Sequence, residues 1–335
     1  MVSSIEADVL AGRATAFDYR LVHALTVDGR APLHRLAQVL GVSDQTLARR
    51  YSRLRSAGLL RVVGQTSPAR LGEVEWYLRI QCTPDAAAPL AETLARRPET
   101  AWVHLTSGGT EIICVARYPA GSGEDGEAPL LHRLPRTPQV VGISAARVLH
   151  TFFGGPSSPF EKKGALSPAE IAALDPGRPT PPPLSTSPGP VIVDAGDQRL
   201  VTALGTDGRA PLATLAEATG WSQTTVRRRL AHLLETGALY FDIEASPRFF
   251  GHDSTSMLWL TVEPAGLAAV GAALADHPQI AFAAAVTGVA NVVAVVLCRD
   301  SAELYEYLTT RIAELRAVRQ VEIAPVIRTL KTLTT

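Results

Sequence analysis

"DGRAPLHRLAQVLG", Asp28–Gly41, returns 179 positions later as "DGRAPLATLAEATG", Asp207–Gly220, with nine of the fourteen residues identical. A solenoid period lies at about 20–50 residues, so a spacing this wide marks a duplicated domain or domain pair. The match runs on in both directions. "VSDQTLARRYSRLRSAGLL" stands beside "WSQTTVRRRLAHLLETGAL", and upstream "FDYRLVHALTV" stands beside "GDQRLVTALGT". Pro98 and Gly108 answer to Pro278 and Gly288 at an offset of 180. The duplication therefore covers nearly all of each half.

Each copy opens with helices. Leu21, Leu25, Leu33, Leu36, Ala37 and Leu40 fall at helical spacing. Gly41 suits the left-handed turn that ends a helix. Ser43 can accept from the unpaired N–H groups of the next helix, which runs to Gly58. Copy two repeats the punctuation with Leu212, Leu215, Ala216, the stop Gly220, the cap Ser222 and the stop Gly237. A helix, a short glycine turn and a capped helix make the pattern of a helix-turn-helix.

The rest of each half changes character. "WYLRIQCT" (Trp76–Thr83) and "MLWLTVE" (Met257–Glu263) read as strands, followed by the alanine-rich helices "AAAPLAETLARR" and "AGLAAVGAALADH". Two strands broken at a glycine follow in each copy. Copy two adds the amphipathic "SAELYEYLTTRIAEL" and a last strand, "VRQVEIAPVIRTLK". The order βαββαβ is that of a ferredoxin-like domain. In copy one "AGSGEDGEAPLLHRLPRTP" leaves room for only a short second helix before "VVGISAARVLHTFF".

The expected fold class is α+β: two copies of a winged helix-turn-helix followed by a ferredoxin-like βαββαβ domain. The segments are 13–63 (helix-turn-helix 1), 70–153 (ferredoxin-like domain 1, degraded), 154–190 (a linker rich in Pro, Gly and Ser), 191–243 (helix-turn-helix 2) and 250–335 (ferredoxin-like domain 2). Pro181–Pro183 forbid helix or central strand in the linker. Ser167-Pro168-Ala169-Glu170 has capping-box spacing and predicts one short helix there.

Composition sets outer bounds. The 335 residues allow about two to four domains. Lys+Arg and Asp+Glu balance at 32 each, so a case for nucleic acid must come from local clusters. Cys82, Cys114 and Cys298 sit singly in apolar runs, without disulfide or metal spacing. "MVSSIEADVLAGRA" is acidic and lacks the apolar stretch of a secretory leader. "AVTGVANVVAVVLC" (Ala285–Cys298) is too short to span a bilayer and reads as a buried strand. The expectation is a cytoplasmic protein with no membrane contact.

The capped third helix of each copy carries the chemistry. From Ser43 to Arg61, Arg49, Arg50, Arg53, Arg55 and Arg61 stand against Asp44, a local charge of +4. From Ser222 to Tyr240, Arg227, Arg228 and Arg229 stand against Glu235, a charge of +2. A recognition helix needs arginines to neutralise phosphate and short polar residues near its N-terminus to reach base edges. Asp44, Gln45 and Thr46 fill the latter positions in copy one, and Gln223, Thr224 and Thr225 in copy two. The expected DNA-binding set is Ser43, Gln45, Thr46, Arg49, Arg50 and Arg53 with Ser222, Gln223, Thr224, Thr225, Arg227, Arg228 and Arg229. The partner is double-stranded DNA.

Other motifs lead nowhere. "GSGEDG" (Gly121–Gly126) matches GxGxxG in form, but its acids would repel a pyrophosphate, and Pro129 and Pro135 leave no full helix to receive one. "GISAA" (Gly142–Ala146) lacks the second glycine of a nucleophile elbow. The eight histidines are scattered, and His104 and His277 read as surface or core residues. No catalytic residue, metal site or cofactor is expected.

On these residues the chain resembles the Lrp/AsnC transcriptional regulators. "DGRAPLHRLAQVLGVSDQTLARRYSRLRSAGLL" looks like their N-terminal winged helix-turn-helix. The Thr287–Cys298 glycine loop and strand, the following helix and "VEIAPVIRTLK" resemble their amino-acid-sensing domain. The resemblance implies a transcription factor in tandem form, self-associating through its sensing domains. It also implies a small effector, often an amino acid, bound at the glycine loop. Carried across, that loop is Thr287, Gly288 and Asn291 in copy two, and Ser107, Gly108 and Glu111 in copy one. Asn291 and Glu111 stand where the family often has aspartate, and neither copy has the usual preceding tyrosine.

Two competing readings share the architecture. Siroheme decarboxylases resemble the same two-domain fold and also occur as fused copies. That family relies on a histidine-rich "SHCY"-like segment, whereas "AWVHLTSG" here offers only His104. A sensing or scaffold protein without DNA binding is the third reading.

Overall fold

The computed structural model describes residues 13–120, 134, 137–175, 177 and 189–332. The "GSGEDG" loop, Pro181–Pro183 and nearly all of the shortened helical stretch of copy one lie outside them. In chain order the elements begin with α1 (Ala16–Val27), α2 (Leu33–Leu40), α3 (Asp44–Ser56), β1 (Leu60–Thr66), β2 (Glu73–Cys82), α4 (Pro84–Ala95), β3 (Thr100–Thr106), β4 (Glu111–Pro119) and β5 (Val140–Phe153). Then come α5 (Pro168–Leu174), α6 (Ala195–Thr206), α7 (Leu212–Thr219), α8 (Gln223–Glu235), β6 (Leu239–Ala245), β7 (Ser254–Val262), α9 (Leu267–Asp276), β8 (Ile280–Val286), β9 (Val292–Cys298), α10 (Ser301–Tyr307) and β10 (Val318–Lys331).

Packing regroups the two halves by kind. One compact unit combines Met1–Leu71 with Gly155–His252, and the other combines Gly72–Gly154 with Asp253–Thr335. The first holds both helix-turn-helix segments; the second holds β2-α4-β3-β4-β5 of copy one and β7-α9-β8-β9-α10-β10 of copy two.

In the first unit, Thr15 and Asp194 each close a capping box with the acid three residues on, Asp18 and Asp197. Gly41 and Gly220 take the left-handed conformation at the ends of α2 and α7. Ser43 and Ser222 accept from the N–H of Thr46 and Thr225, both at 3.2 Å, and so start α3 and α8. Leu21, Leu25, Leu36, Leu47 and Leu54 are fully buried between α1, α2 and α3. Burying each contributes about 1.5–3 kcal/mol.

Neither wing strand pairs within its own copy. β1 and β6 form one two-stranded antiparallel ribbon running from Leu60↔Ala245 to Thr66↔Leu239. Its centre is Val63↔Asp242, equivalent positions of the two copies. A local two-fold relation between the modules is thus written into the register.

The DGRAPL repeat sits on that relation, and each letter has a task. Asp28 Oδ1 and Asp207 Oδ1 accept from the N–H of Arg30 and Arg209, folding a tight turn. Gly208 donates to Val62 O at 2.8 Å, and a Cβ there would meet that oxygen at 2.9 Å. Arg30 donates to Gly208 O (2.6 Å) and Ala210 O (2.9 Å), while Arg209 donates to Gly29 O and Ala31 O (both 2.6 Å). Ala31 and Ala210 are buried. Pro32 and Pro211 precede the first helical residues, Leu33 and Leu212. The hexapeptide recurs because each copy grips the other's.

The linker does more than span distance. The expected capping box is present, with Ser167 accepting from the N–H of Glu170 ahead of α5. Leu166 and Leu174 enter the core of the first module. Arg35 donates to Ala173 O at 2.7 Å, and Glu170 forms an ion pair with Arg20.

The second unit is a closed barrel of order β10-β3-β4-β2-β5-β8-β9-β7. Closure comes from the two fourteen-residue strands. β5 pairs with β2 through Val140–Arg147, then crosses to β8 of the other copy. β10 pairs with β7 through Val318–Pro325, then crosses to β3. Successive strand residues alternate between faces. Tyr77, Met257, Trp259 and Ala284 share one core cluster, whereas Leu78 and Ile80 pack with α4, and Leu258 and Leu260 with α9.

Candidate nucleic-acid interface

α3 and α8 hold equivalent places in one unit, and their exposed positions define the candidate surface. Asp44, Gln45 and Arg49 are exposed on α3, with Arg53 half-buried. Gln223, Thr224, Arg227 and Arg228 are exposed on α8. Ser43 and Ser222 are exposed but spend a lone pair on the cap, and their hydroxyls bond Thr46 Oγ1 and Thr225 Oγ1 at 2.8 and 3.0 Å. Each helix thus presents a capped, positive N-terminus bordered by short polar side chains and arginines. That combination suits phosphate and base edges.

Two of the expected arginines do not belong to this surface. Arg50 is 3% exposed, and its Nε donates to Asp18 Oδ1 at 2.7 Å. Its equivalent Arg229 donates Nε to Asp197 Oδ1 at 2.8 Å. The cause is helical spacing: Arg50 lies three residues after Leu47 and four before Leu54, both in the core. Each guanidinium ties α3 or α8 to the acid that closes the capping box of α1 or α6. Desolvation pushes the Asp197 carboxyl upward, but the bonds from Arg229 and the Asp194 backbone outweigh it and hold it below the usual carboxylate range.

Further arginines of the basic cluster are neutralised across the two copies. Arg55 pairs with Asp207 at 2.8 Å, and Arg61 Nε with Glu244 at 2.9 Å. The arginines of the expected set that stand at the surface of the two helices are Arg49 in copy one and Arg227 and Arg228 in copy two, with Arg53 half-buried. Arg30 and Arg209, which assemble the pair, lie outside the recognition helices. Their signal was the identity of the hexapeptide itself.

The two glycine loops of the barrel differ. Glu111 is 4% exposed and accepts from Arg79 Nε (2.8 Å), Ser107 Oγ (2.9 Å) and Thr106 Oγ1 (3.1 Å). Arg79 is also bound to Glu322 and lies over the Trp259 ring. Ser107, Gly108 and Gly109 all have positive φ. In copy two, Asn291 brackets the backbone of Val262, accepting from its N–H and donating to its carbonyl, both at 2.8 Å. Thr287 Oγ1 accepts from the N–H of Arg147 at 2.9 Å. Thr287, Gly288 and Val289 are exposed, and a Cβ on Gly288 would meet nothing nearer than Ala290 O at 3.8 Å.

His104 is buried with Nδ1 3.0 Å from Thr329 Oγ1, and burial lowers its pKa to about 4. Cys114 is buried and pushed up to about 12. Among the described residues no three His, Cys, Asp or Glu side chains gather to hold a metal ion, and no helix is long and apolar enough to cross a membrane.

The AsnC-type helix-turn-helix domain model matches residues 15–55 and 193–234, and the Lrp/AsnC ligand binding domain model matches residues 255–335. The chain is 27% identical over 119 residues to the HTH-type transcriptional regulator FL11 of Pyrococcus horikoshii, covering 35% of this chain and 79% of that protein. It is 25% identical over 141 residues to the HTH-type transcriptional regulator LrpA of the same organism, covering 42% of this chain and 100% of that one. Among solved structures, the siroheme decarboxylase NirDL superposes over 95% of this chain and 93% of its own, with TM-score 0.62 and 15% identity. At that identity the likeness is one of fold.

Proposed function

We propose, from the premise that this chain belongs to the Lrp/AsnC family in duplicated form, that it is a sequence-specific DNA-binding transcriptional regulator and not an enzyme. One observation carries the reading. A single unit holds two capped helices in equivalent places, each with exposed polar residues at its N-terminus and arginines beside them. A cytoplasmic location and self-association through the barrel go with it. An amino acid or other small effector is proposed to act at the exposed Thr287–Asn291 turn. Asn291 is held by Val262 as Glu111 is by Arg79, Ser107 and Thr106, so the exposed Thr287, Gly288 and Val289 carry this part of the proposal. The test is a mobility shift with duplex DNA across a salt series. A regulator of this kind gives log K falling linearly with log salt, by about 0.9 for each phosphate neutralised.

The shared architecture with NirDL supports a second reading, an enzyme acting on a tetrapyrrole. It rests on fold alone, and a fold does not fix chemistry. Titration with an iron tetrapyrrole, followed by absorbance, separates the two. A stoichiometric complex without any DNA shift would replace the regulator with the enzyme.

A further inference from the structure

The two recognition helices occupy equivalent places but present different side chains. Position by position, Asp44 answers to Gln223, Gln45 to Thr224, Ala48 to Arg227 and Arg53 to His232. Arg49 and Arg228, and Thr46 and Thr225, are the same on both. Asp44/Gln223, Gln45/Thr224 and Ala48/Arg227 differ within the first two turns, while the Ser caps and the Arg50–Asp18 and Arg229–Asp197 pairs keep both helices in one frame. The frame is symmetric and the reading surface is not.

We infer that the DNA this chain selects is an asymmetric duplex, with two different half-sites read by the two different helices. The inference rests on the DNA-binding reading above. A symmetric dimer presents one helix twice and so matches a palindrome. Here the chemistry at the base edges differs. Gln45 offers a donor and an acceptor, as the edge of adenine requires, while Thr224 offers a hydroxyl and a methyl. Asp44 can only accept, whereas Gln223 both donates and accepts. Arg227 adds a cation where copy one has Ala48. Because β1–β6 pairing and the reciprocal arginine bonds fix one module against the other, the half-sites also keep a fixed order and spacing.

The experiment is selection from a random duplex pool with the full chain. Binding is then measured to the selected site and to two palindromes, each repeating one half-site. Each palindrome should bind at least about tenfold more weakly, since a single mismatched base pair costs about that factor. Exchange variants supply the second arm. Asp44→Gln with Gln45→Thr, Ala48→Arg and Arg53→His should come to prefer the palindrome of the copy-two half-site. The reverse set, Gln223→Asp with Thr224→Gln, Arg227→Ala and His232→Arg, should prefer the other. A palindrome bound by the parent chain as tightly as the selected site overturns the inference while leaving DNA binding in place. A pool from which no sequence is enriched, with equal affinity for all duplexes, overturns both the inference and the sequence-specific reading beneath it.

Discussion

Arg30 and Arg209 each reach across the pair of helix-turn-helix modules to two backbone carbonyls of the other's DGRAPL segment, at 2.6–2.9 Å. Arg209 also lies 5.5 Å from the centre of the Tyr51 ring, and Arg30 lies 5.9 Å from that of Phe241. A hydrogen bond from a charged donor contributes about 1.5–3 kcal/mol. Arg30→Ala or Arg209→Ala should each destabilise the unit by about 2–4 kcal/mol in urea melts. Lysine should not rescue either position, because one ammonium lacks the fork that spans two carbonyls. Full rescue by lysine would show that charge alone holds the modules together.

The arginines of α3 and α8 should separate into two classes. Arg49→Ala with Arg53→Ala, and Arg227→Ala with Arg228→Ala, should weaken binding to all duplexes and flatten the salt slope by about one unit per lost contact. Arg50→Ala should instead unfold the module, since removing one partner of a buried pair costs about 3–5 kcal/mol. The slope of the protein that remains folded should be unchanged. A stable Arg50→Ala chain with a flattened slope would return that residue to the interface.

That division marks the limit of what could be read from sequence. Caps, glycine stops, strand order and the duplication are local signals, and Ser43, Gly41 and Gly220 do in the structure what their residue types dictate. The spacing of Arg50 from Leu47 and Leu54 already put it on the core face, but its acid lies 32 residues upstream, and only the packing of α1 on α3 joins them. Strand exchange is non-local in the same way. β5 and β10 run to fourteen residues, longer than their own sheets can pair, and the surplus goes to the other copy. Likewise Glu111 and Asn291 sit where an effector loop was expected. Their bonds to Arg79 and Val262 depend on which strands close the barrel.

Those bonds predict how the loops respond to change. Asn291→Ala removes both ties to the Val262 backbone and should lower stability by about 1–3 kcal/mol, whatever its effect on a ligand. Gly288, exposed at φ +114, carries no such bond. A bulky residue there should abolish any amino-acid-dependent shift in assembly or DNA affinity, while the matching change at Gly108 should not. Equal loss at both positions would refute an effector confined to copy two.

Asp242 gives the ribbon a pH dependence. It is half-buried opposite fully buried Val63, and desolvation pushes its carboxyl up to about 6. A carboxyl whose folded pKa lies above its unfolded value favours folding most at low pH. That contribution falls as pH rises from about 4 to 6 and is absent above. Asp242→Asn keeps an acceptor for the N–H of Ile243 without the charge. It should stabilise the first unit by on the order of 2 kcal/mol at pH 7 and leave it unchanged near pH 3.5. A pH-independent difference in chemical melts would assign the effect to packing.

The same residue decides what happens when the chain is cut. Expressed apart, each half could pair with itself, as the local two-fold register allows. A self-pair of the second half would place Asp242 against Asp242 and Glu244 against Tyr240, and a self-pair of the first would set Arg61 against Gln65. Together the halves give Val63↔Asp242 and Arg61↔Glu244, and in the barrel Arg79 meets Glu322 and Trp259. Like charges directly opposite in a ladder destabilise it, and opposite charges stabilise it by about 0.2–1 kcal/mol a pair. Every described unit also takes strands from both halves, so a break in the linker removes effective concentration but no contact of the ribbon or barrel. Residues 1–181 and 182–335 expressed together should therefore purify as a one-to-one complex that still shifts DNA, with a stability that depends on concentration. Native mass spectrometry of the mixture reads the outcome. Two populations of self-paired halves would mean that divergence across the ribbon and barrel does not select the partner, and that the linker alone keeps unlike halves together.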